Sequence, residues 1–87
     1  RPAVHIETLK VFCDVVDTGS FSMAASQNFI TQSAVSQQLR TLESKYRCKL
    51  LERGRSGAKP TPAGEILYRA SREILEKYRE IETQLQE

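Results

Sequence analysis

Histidine occurs once in these 87 residues, cysteine twice and tryptophan not at all. So thin a supply of metal ligands and nucleophile–base partners leaves no set from which a catalytic centre could be assembled, and an enzyme is not expected. His5 has no second His and no nearby Cys, so it reads as no metal site. Cys13 and Cys48 form no C-x-x-C pair and fit a reducing cytoplasm better than a disulfide framework. No apolar run approaches the roughly 20 residues that span a bilayer, and no charged-then-apolar leader is present, so neither membrane insertion nor Sec export is expected. The length has room for one small domain and not for two cores. With 39% hydrophobic and 28% charged residues, the chain can build a core and stay in solution. Arg1-Pro2-Ala3 reads as an expression remnant and carries no weight.

The net charge of +2 hides an uneven distribution. Residues 18–59 hold seven bases (Arg40, Lys45, Arg47, Lys49, Arg53, Arg55 and Lys59) against two acids, Glu43 and Glu52, while both ends of the chain are mildly acidic. From Thr18 to Leu42 there is no acid at all, and thirteen of those 25 residues are Ser, Thr, Asn or Gln. Ordinary solvated surfaces mix both signs over such a length. An acid-free, hydrogen-bonding stretch followed by a basic one suits a polyanion.

Ile6, Leu9, Phe12, Cys13 and Val16 recur at helical spacing and predict a first helix over residues 6–17. Thr18-Gly19 ends it, and Ser20 caps a short second helix from Phe21 to about Asn28. Phe29-Ile30 make a tight connection, and Thr31 caps a third helix from Gln32 to about Tyr46. Val35, Leu39, Leu42 and Tyr46 form its apolar stripe; Gln32, Ser33, Ser36, Gln37 and Arg40 lie on the outer face. A hairpin follows, with a glycine-bracketed turn at Gly54-Arg55-Ser56-Gly57 and Arg53 and Arg55 projecting from its tip. Thr61-Pro62 then starts a helix that can run to about Gln86, roughly 37 Å. Its stripe of Leu67, Ala70, Ile74, Tyr78, Ile81 and Leu85 is too long for so small a domain to cover. A second copy of the same helix is the expected partner.

Two short helices joined by a tight turn, the second with a polar uncharged outer face, make a helix-turn-helix, and the basic hairpin after it makes a wing. At this level the chain resembles the LysR-type bacterial transcription regulators. The matching residues are Phe12, Gly19-Ser20-Phe21-Ser22 with Ala24-Ala25, Thr31-Gln32-Ser33-Ala34-Val35-Ser36-Gln37-Gln38-Leu39, Leu42-Glu43, Leu50-Leu51-Glu52-Arg53 and Thr61-Pro62-Ala63-Gly64-Glu65. The likeness runs from Ile6 to Gln86. It implies a mainly α fold: a winged helix-turn-helix of three helices and a two-stranded wing over residues 4–61, then a linker and dimerisation helix over 62–87. It also implies that a small-molecule effector would bind a C-terminal domain absent from this chain, with no cofactor in the part at hand. Asn28 departs from the pattern, standing where the family usually has Leu; either Phe29 or Ile30 then fills that core position.

The expected partners are double-stranded operator DNA and a second copy of the chain, with no membrane, in the cytoplasm. Gln32, Ser33, Ser36 and Gln37 are the candidate base readers, and Gln32, able to pair bidentately with adenine, is the foremost. Ser22, Thr31, Arg40, Arg53 and Arg55 are the candidates for the DNA backbone or, on the wing, a flanking minor groove. The linker helix would pair antiparallel with its copy, with Val11 and Val15 of the first helix offering a further apolar edge to the partner. Cys13 and the tyrosines at 46, 68 and 78 read as packing residues. Two rival classes remain at this point: a winged-helix module that meets an acidic protein surface, and an architectural DNA binder without sequence choice.

Overall fold

The computed structural model describes residues 4–86. Arg1-Pro2-Ala3, with the expression-remnant reading attached to them, and Glu87, the last residue of the expected linker segment, lie outside the described residues. The order of elements is α1 (Ile6–Thr18), α2 (Phe21–Asn28), α3 (Gln32–Tyr46), β1 (Leu51–Gly54), β2 (Gly57–Pro60) and α4 (Pro62–Leu85). Three of the four helices begin as their capping residues dictate: the hydroxyls of Ser20, Thr31 and Thr61 each accept a backbone N–H from the first turn of α2, α3 and α4. No helix among the described residues is long and apolar enough to cross a membrane.

α1 is the hub, touched by α2, α3, α4 and β2. Its Leu9, Phe12 and Val15 meet Ala24 and Ala25 of α2, Val35, Leu39 and Leu42 of α3, and Leu50, Leu51 and Ala58 around the hairpin in one apolar cluster. The two alanines let α2 approach closely. Because α1 is covered on so many sides, Val11 and Val15 are 2% and 0% exposed. They belong to the core, and the expectation that they offer a free edge to a partner is corrected. Tyr46 is corrected as well: the apolar stripe of α3 ends at Leu42, and Tyr46, a turn further on at the helix end, is exposed.

The α2–α3 turn settles the Asn28 question. Ile30 packs against the core, whereas Phe29 is 94% exposed. Asn28 forms a polar knot: its amide donates to Asp14 Oδ2 and to the Ala24 carbonyl, both at 2.8 Å, and its Oδ1 accepts from Lys10 Nζ at 3.2 Å. The end of α2 is thereby tied to α1 by hydrogen bonds rather than by burial.

The turn of the hairpin is tighter than the sequence suggests, with the register Leu51↔Pro60 to Gly54↔Gly57 and only Arg55-Ser56 in the turn. It lies down on the α1–α2 junction. The Ala58 N–H donates to the Gly19 carbonyl at 2.9 Å, and Gly57, at φ 101°, comes so close that a Cβ there would overlap the same oxygen. Its far end is tied to α4: the Thr61 hydroxyl donates to the Lys49 carbonyl at 2.7 Å, and the Thr61 N–H to that of Leu50 at 3.1 Å. α4 docks on the rest of the domain through a face the apolar stripe, Leu67 apart, does not predict, with Gly64, Ser71 and Leu75 buried and Tyr68 half-buried. Tyr68 donates its hydroxyl to Asp17, and Arg72 donates to Tyr68 at 2.8 Å, which pins α4 to the end of α1.

Phe29 generates a stability prediction. It closes α2 in the left-handed conformation, at φ 57°, where a side chain with a Cβ is penalised by about 1–2 kcal/mol, and it buries almost nothing in return. Phe29→Gly is expected to raise stability by about 1 kcal/mol, read as a higher urea midpoint at unchanged slope; a lower midpoint would show that the ring contributes more than its exposure implies.

Candidate nucleic-acid interface

α3 turns one side into the core and the other outward. Gln32, Ser33, Gln37 and Arg40 are exposed, and Ser36 is half-buried beside them. Gln32, Ser33, Ser36 and Arg40 line a shared concavity along the first half of the helix. Gln37 is exposed but does not line that hollow. At the start of α3, Thr31 Oγ1 accepts the Ala34 N–H at 3.0 Å, while the first backbone N–H groups of the helix, having no partner one turn earlier, point outward. Ser22 is exposed in the first turn of α2. Three uncharged side chains that both donate and accept, Gln32, Ser33 and Ser36, thus lie together near an electropositive helix end, a surface suited to phosphate oxygens and base edges.

A second groove runs between α3 and the wing, lined by Phe21, Ser36, Arg40, Glu43, Lys49 and Arg53 among others. Here the structure corrects one expectation. Arg55 sits in the turn at the hairpin tip, but Arg53 does not project. Its guanidinium carbon lies 3.9 Å from the centroid of the Phe21 ring, and its Nη2 donates to Ser36 Oγ at 3.3 Å. The planar, weakly hydrated guanidinium favours an aromatic face over water, which is why the side chain folds back.

The electrostatics are one-sided. The ion pairs among the described residues are Lys10–Asp14, Arg69–Glu65, Arg72–Asp17, Lys77–Glu80 and Arg79–Glu76, all on α1 and α4. Among the described residues none of the seven bases between 40 and 59 takes part in one. Glu43 has other work: its Oε2 accepts the N–H of Leu50 at 2.9 Å and, at 3.4 Å, that of Leu51. One of the two acids in the basic segment is therefore engaged at the root of the wing, and all seven bases are exposed.

Elsewhere the chemistry is quiet. Cys13 is buried, and burial, with Asp17 adding to it, pushes its thiol up to about 11, so it stays protonated. Tyr68 is raised because it donates its hydroxyl to Asp17. Cys48 is exposed at the α3–β1 junction. Among the described residues no group of three or more His, Cys, Asp or Glu is placed to hold a metal ion.

The stripe on α4 is a separate surface. Ala70, Ile74, Tyr78, Ile81 and Leu85 are exposed along one side, and Ile66, which the sequence stripe omits, joins them at 69% exposure. Ile6 of α1 lines a groove with Ile74, Tyr78 and Ile81. Leu67 differs from the expectation: it is half-buried and packs on the chain's own core.

The functional residues missed by sequence reasoning are Phe21, whose ring carries Arg53, and Glu43, which fixes the wing. The signal for Glu43 was its isolation as an acid beside an otherwise acid-free face. For Phe21 no sequence signal existed, since its partner lies across the fold.

Known proteins show the same pattern. Residues 6–65 match the family described as bacterial regulatory helix-turn-helix protein, lysR family. A probable nitrogen assimilation transcriptional activator of Synechocystis sp. is 41% identical over 75 residues, covering 86% of this chain and 24% of that protein. The nitrogen assimilation regulatory protein nac of Klebsiella aerogenes is 44% identical over 72 residues, 83% of this chain and 24% of its own length. Among solved structures, a BenM DBD in complex with catB site 1 DNA superposes with a TM-score of 0.89 at 30% identity, covering 95% of this chain and 93% of that one. The chain spans about a quarter of the length of the curated relatives it matches.

Removing the Glu43 carboxylate tests how the wing is held. Leu50 is buried, so Glu43→Ala would leave its N–H without an acceptor, at a cost of about 1–3 kcal/mol. Glu43→Gln keeps an acceptor oxygen and is expected to cost less than half of that. Urea unfolding of both variants checks the pair; equal losses would mean that the charge, not the capped amide, is what matters.

Proposed function

Since the chain belongs to the LysR family of bacterial regulatory helix-turn-helix proteins, we propose that it binds double-stranded DNA with sequence choice and does so as a pair of copies. α3 enters the major groove, the wing follows the backbone or a flanking minor groove, and nothing is catalysed. Residues 4–61 serve as the reading unit and 62–87 as the linker and dimerisation helix. The observation that carries the reading is the charge arrangement: seven bases with no ion pair among the described residues, beside a hydrogen-bonding helix face. Phosphate neutralisation supplies most of the affinity, and the α3 side chains supply the choice. The neighbouring BenM DBD, whose structure contains DNA, superposes over nearly the whole chain, which favours this reading over a module for acidic proteins. In the longer protein the activity is regulation of transcription in the cytoplasm, with an effector-binding domain following this one.

Gln32, Ser33, Ser36 and Gln37 are the base readers in this reading; Thr31, Ser22, Arg40, Arg53 and Arg55 hold phosphates or, on the wing, a flanking minor groove. Selection from random duplexes with this chain would yield a preferred site and its half-site spacing together. On that site Gln32→Ala is expected to lose about 1–3 kcal/mol, with little lost on a scrambled duplex. Arg40→Ala weakens both by similar factors and lowers the slope of log K against log salt by about one. Failure of the selection to enrich any sequence would leave the two rivals, an architectural binder if random duplexes are still retained and a protein-interaction module if none is, and equal losses for Gln32→Ala on both duplexes would make that side chain a backbone contact.

The exposed stripe Ile66, Ala70, Ile74, Tyr78, Ile81 and Leu85 is assigned to the second copy, α4 against α4 in antiparallel sense. Contact to the partner's α1 then runs through Ile6, which borders the stripe, in place of the buried valines. Ile74→Asp with Ile81→Asp puts unpaired charge into that seam. A monomer by sedimentation, with any loss of helix content confined to the end of α4, is the expected result; a persisting dimer mass would place the interface elsewhere.

A further inference from the structure

We propose that Phe21 is a positioning residue for DNA, its ring and the Ser36 hydroxyl holding the Arg53 guanidinium as a preset phosphate fork in the groove between α3 and the wing. The inference rests on the DNA-binding reading and adds to it a residue on α2 that itself touches no DNA.

The geometry is specific. One face of the guanidinium is laid on the Phe21 ring, at 3.9 Å from carbon to centroid, and one of its donors is used on Ser36 Oγ at 3.3 Å. A guanidinium has five N–H donors in a rigid plane, so most of the fork remains free. Nothing competes for it: Arg53 has no ion pair among the described residues, and Glu43, on the same groove wall, is engaged by the Leu50 and Leu51 amides. Arg40 and Lys49 line the same groove and add positive charge. A tetrahedral anion bridging α3 and the wing therefore meets a bidentate donor already in place. A long arginine side chain normally loses rotamer freedom when it is fixed, and here the aromatic platform removes much of that loss before binding.

The hydrogen bond from Arg53 has a second effect. With one lone pair of Ser36 Oγ occupied as acceptor, the hydroxyl proton is free to donate outward. Ser36 is thereby set as a donor toward an acceptor on DNA, a phosphate oxygen or a base edge, and the wing tunes the helix.

The test uses the 87-residue chain and a mixed-sequence duplex, because a phosphate contact does not need the preferred site. Phe21→Leu keeps an apolar side chain against the core but removes the ring face; Phe21→Tyr keeps the ring. Phe21→Leu is expected to weaken binding about three-fold with an unchanged salt slope, because the charge count is the same. Phe21→Tyr should restore wild-type affinity. In an Arg53→Ala background, where the salt slope itself falls by about one, Phe21→Leu should have no further effect. A three-fold loss that persists without Arg53 would show that Phe21 acts through the fold and would overturn the proposal, as would wild-type affinity for Phe21→Leu. Absence of duplex binding by the wild-type chain would overturn the DNA reading itself, and the fork with it.

Discussion

The Gly19 carbonyl accepts the Ala58 N–H, and this one bond decides where the wing lies. A two-stranded hairpin has little stability of its own. Left to itself, the segment after α3 would sample many directions. Here its second strand is bonded to the junction of α1 and α2, Gly57 packs directly against the same carbonyl, and Thr61 ties the strand's exit to Lys49 and Leu50. The grooves between wing and α3, the folding back of Arg53 and the entry angle of α4 all follow from that placement. Glu43 completes it from the other side, by holding the entry to β1.

Charge is partitioned as sharply as packing. The ion pairs among the described residues all lie on α1 and α4. The bases between 40 and 59 take part in none of them, and Arg40, Lys49 and Arg53 share the groove between α3 and the wing. Exposed pairs contribute little to stability, so the arrangement costs the fold almost nothing while concentrating positive potential beside α3. Stability comes from the apolar cluster around Phe12, and binding chemistry is laid over it without being part of it.

This separation explains what could be read in the sequence and what could not. Helix starts were legible because Ser20, Thr31 and Thr61 act on their own first turns, a purely local effect. The outer face of α3 was legible from its composition. Side chains that depend on contacts across the fold were not: Val11 and Val15 look like a spare edge until α4 and β2 are placed against α1, and Arg53 looks like a wing tip until Phe21 is brought beneath it. The same holds for α4, whose buried face of Gly64, Ser71 and Leu75 is too small and polar to stand out as a stripe. Gly64 in particular is chosen by its neighbour, since a Cβ there would overlap the Leu50 carbonyl. Phe29 and Ile30 could not be told apart by hydrophobicity, because the left-handed turn, not apolarity, decides which of them faces inward.

Beyond Leu75 every described residue of α4 is exposed, although the helix continues for ten more residues. Helix propagation gains little per residue in water, so such an end frays unless something covers it. Order in the last three turns is consequently a shared property of whatever assembly the helix joins. Far-UV ellipticity of this chain would then depend on how concentrated the solution is, and amide exchange at Ile81 would report on encounter rather than on folding.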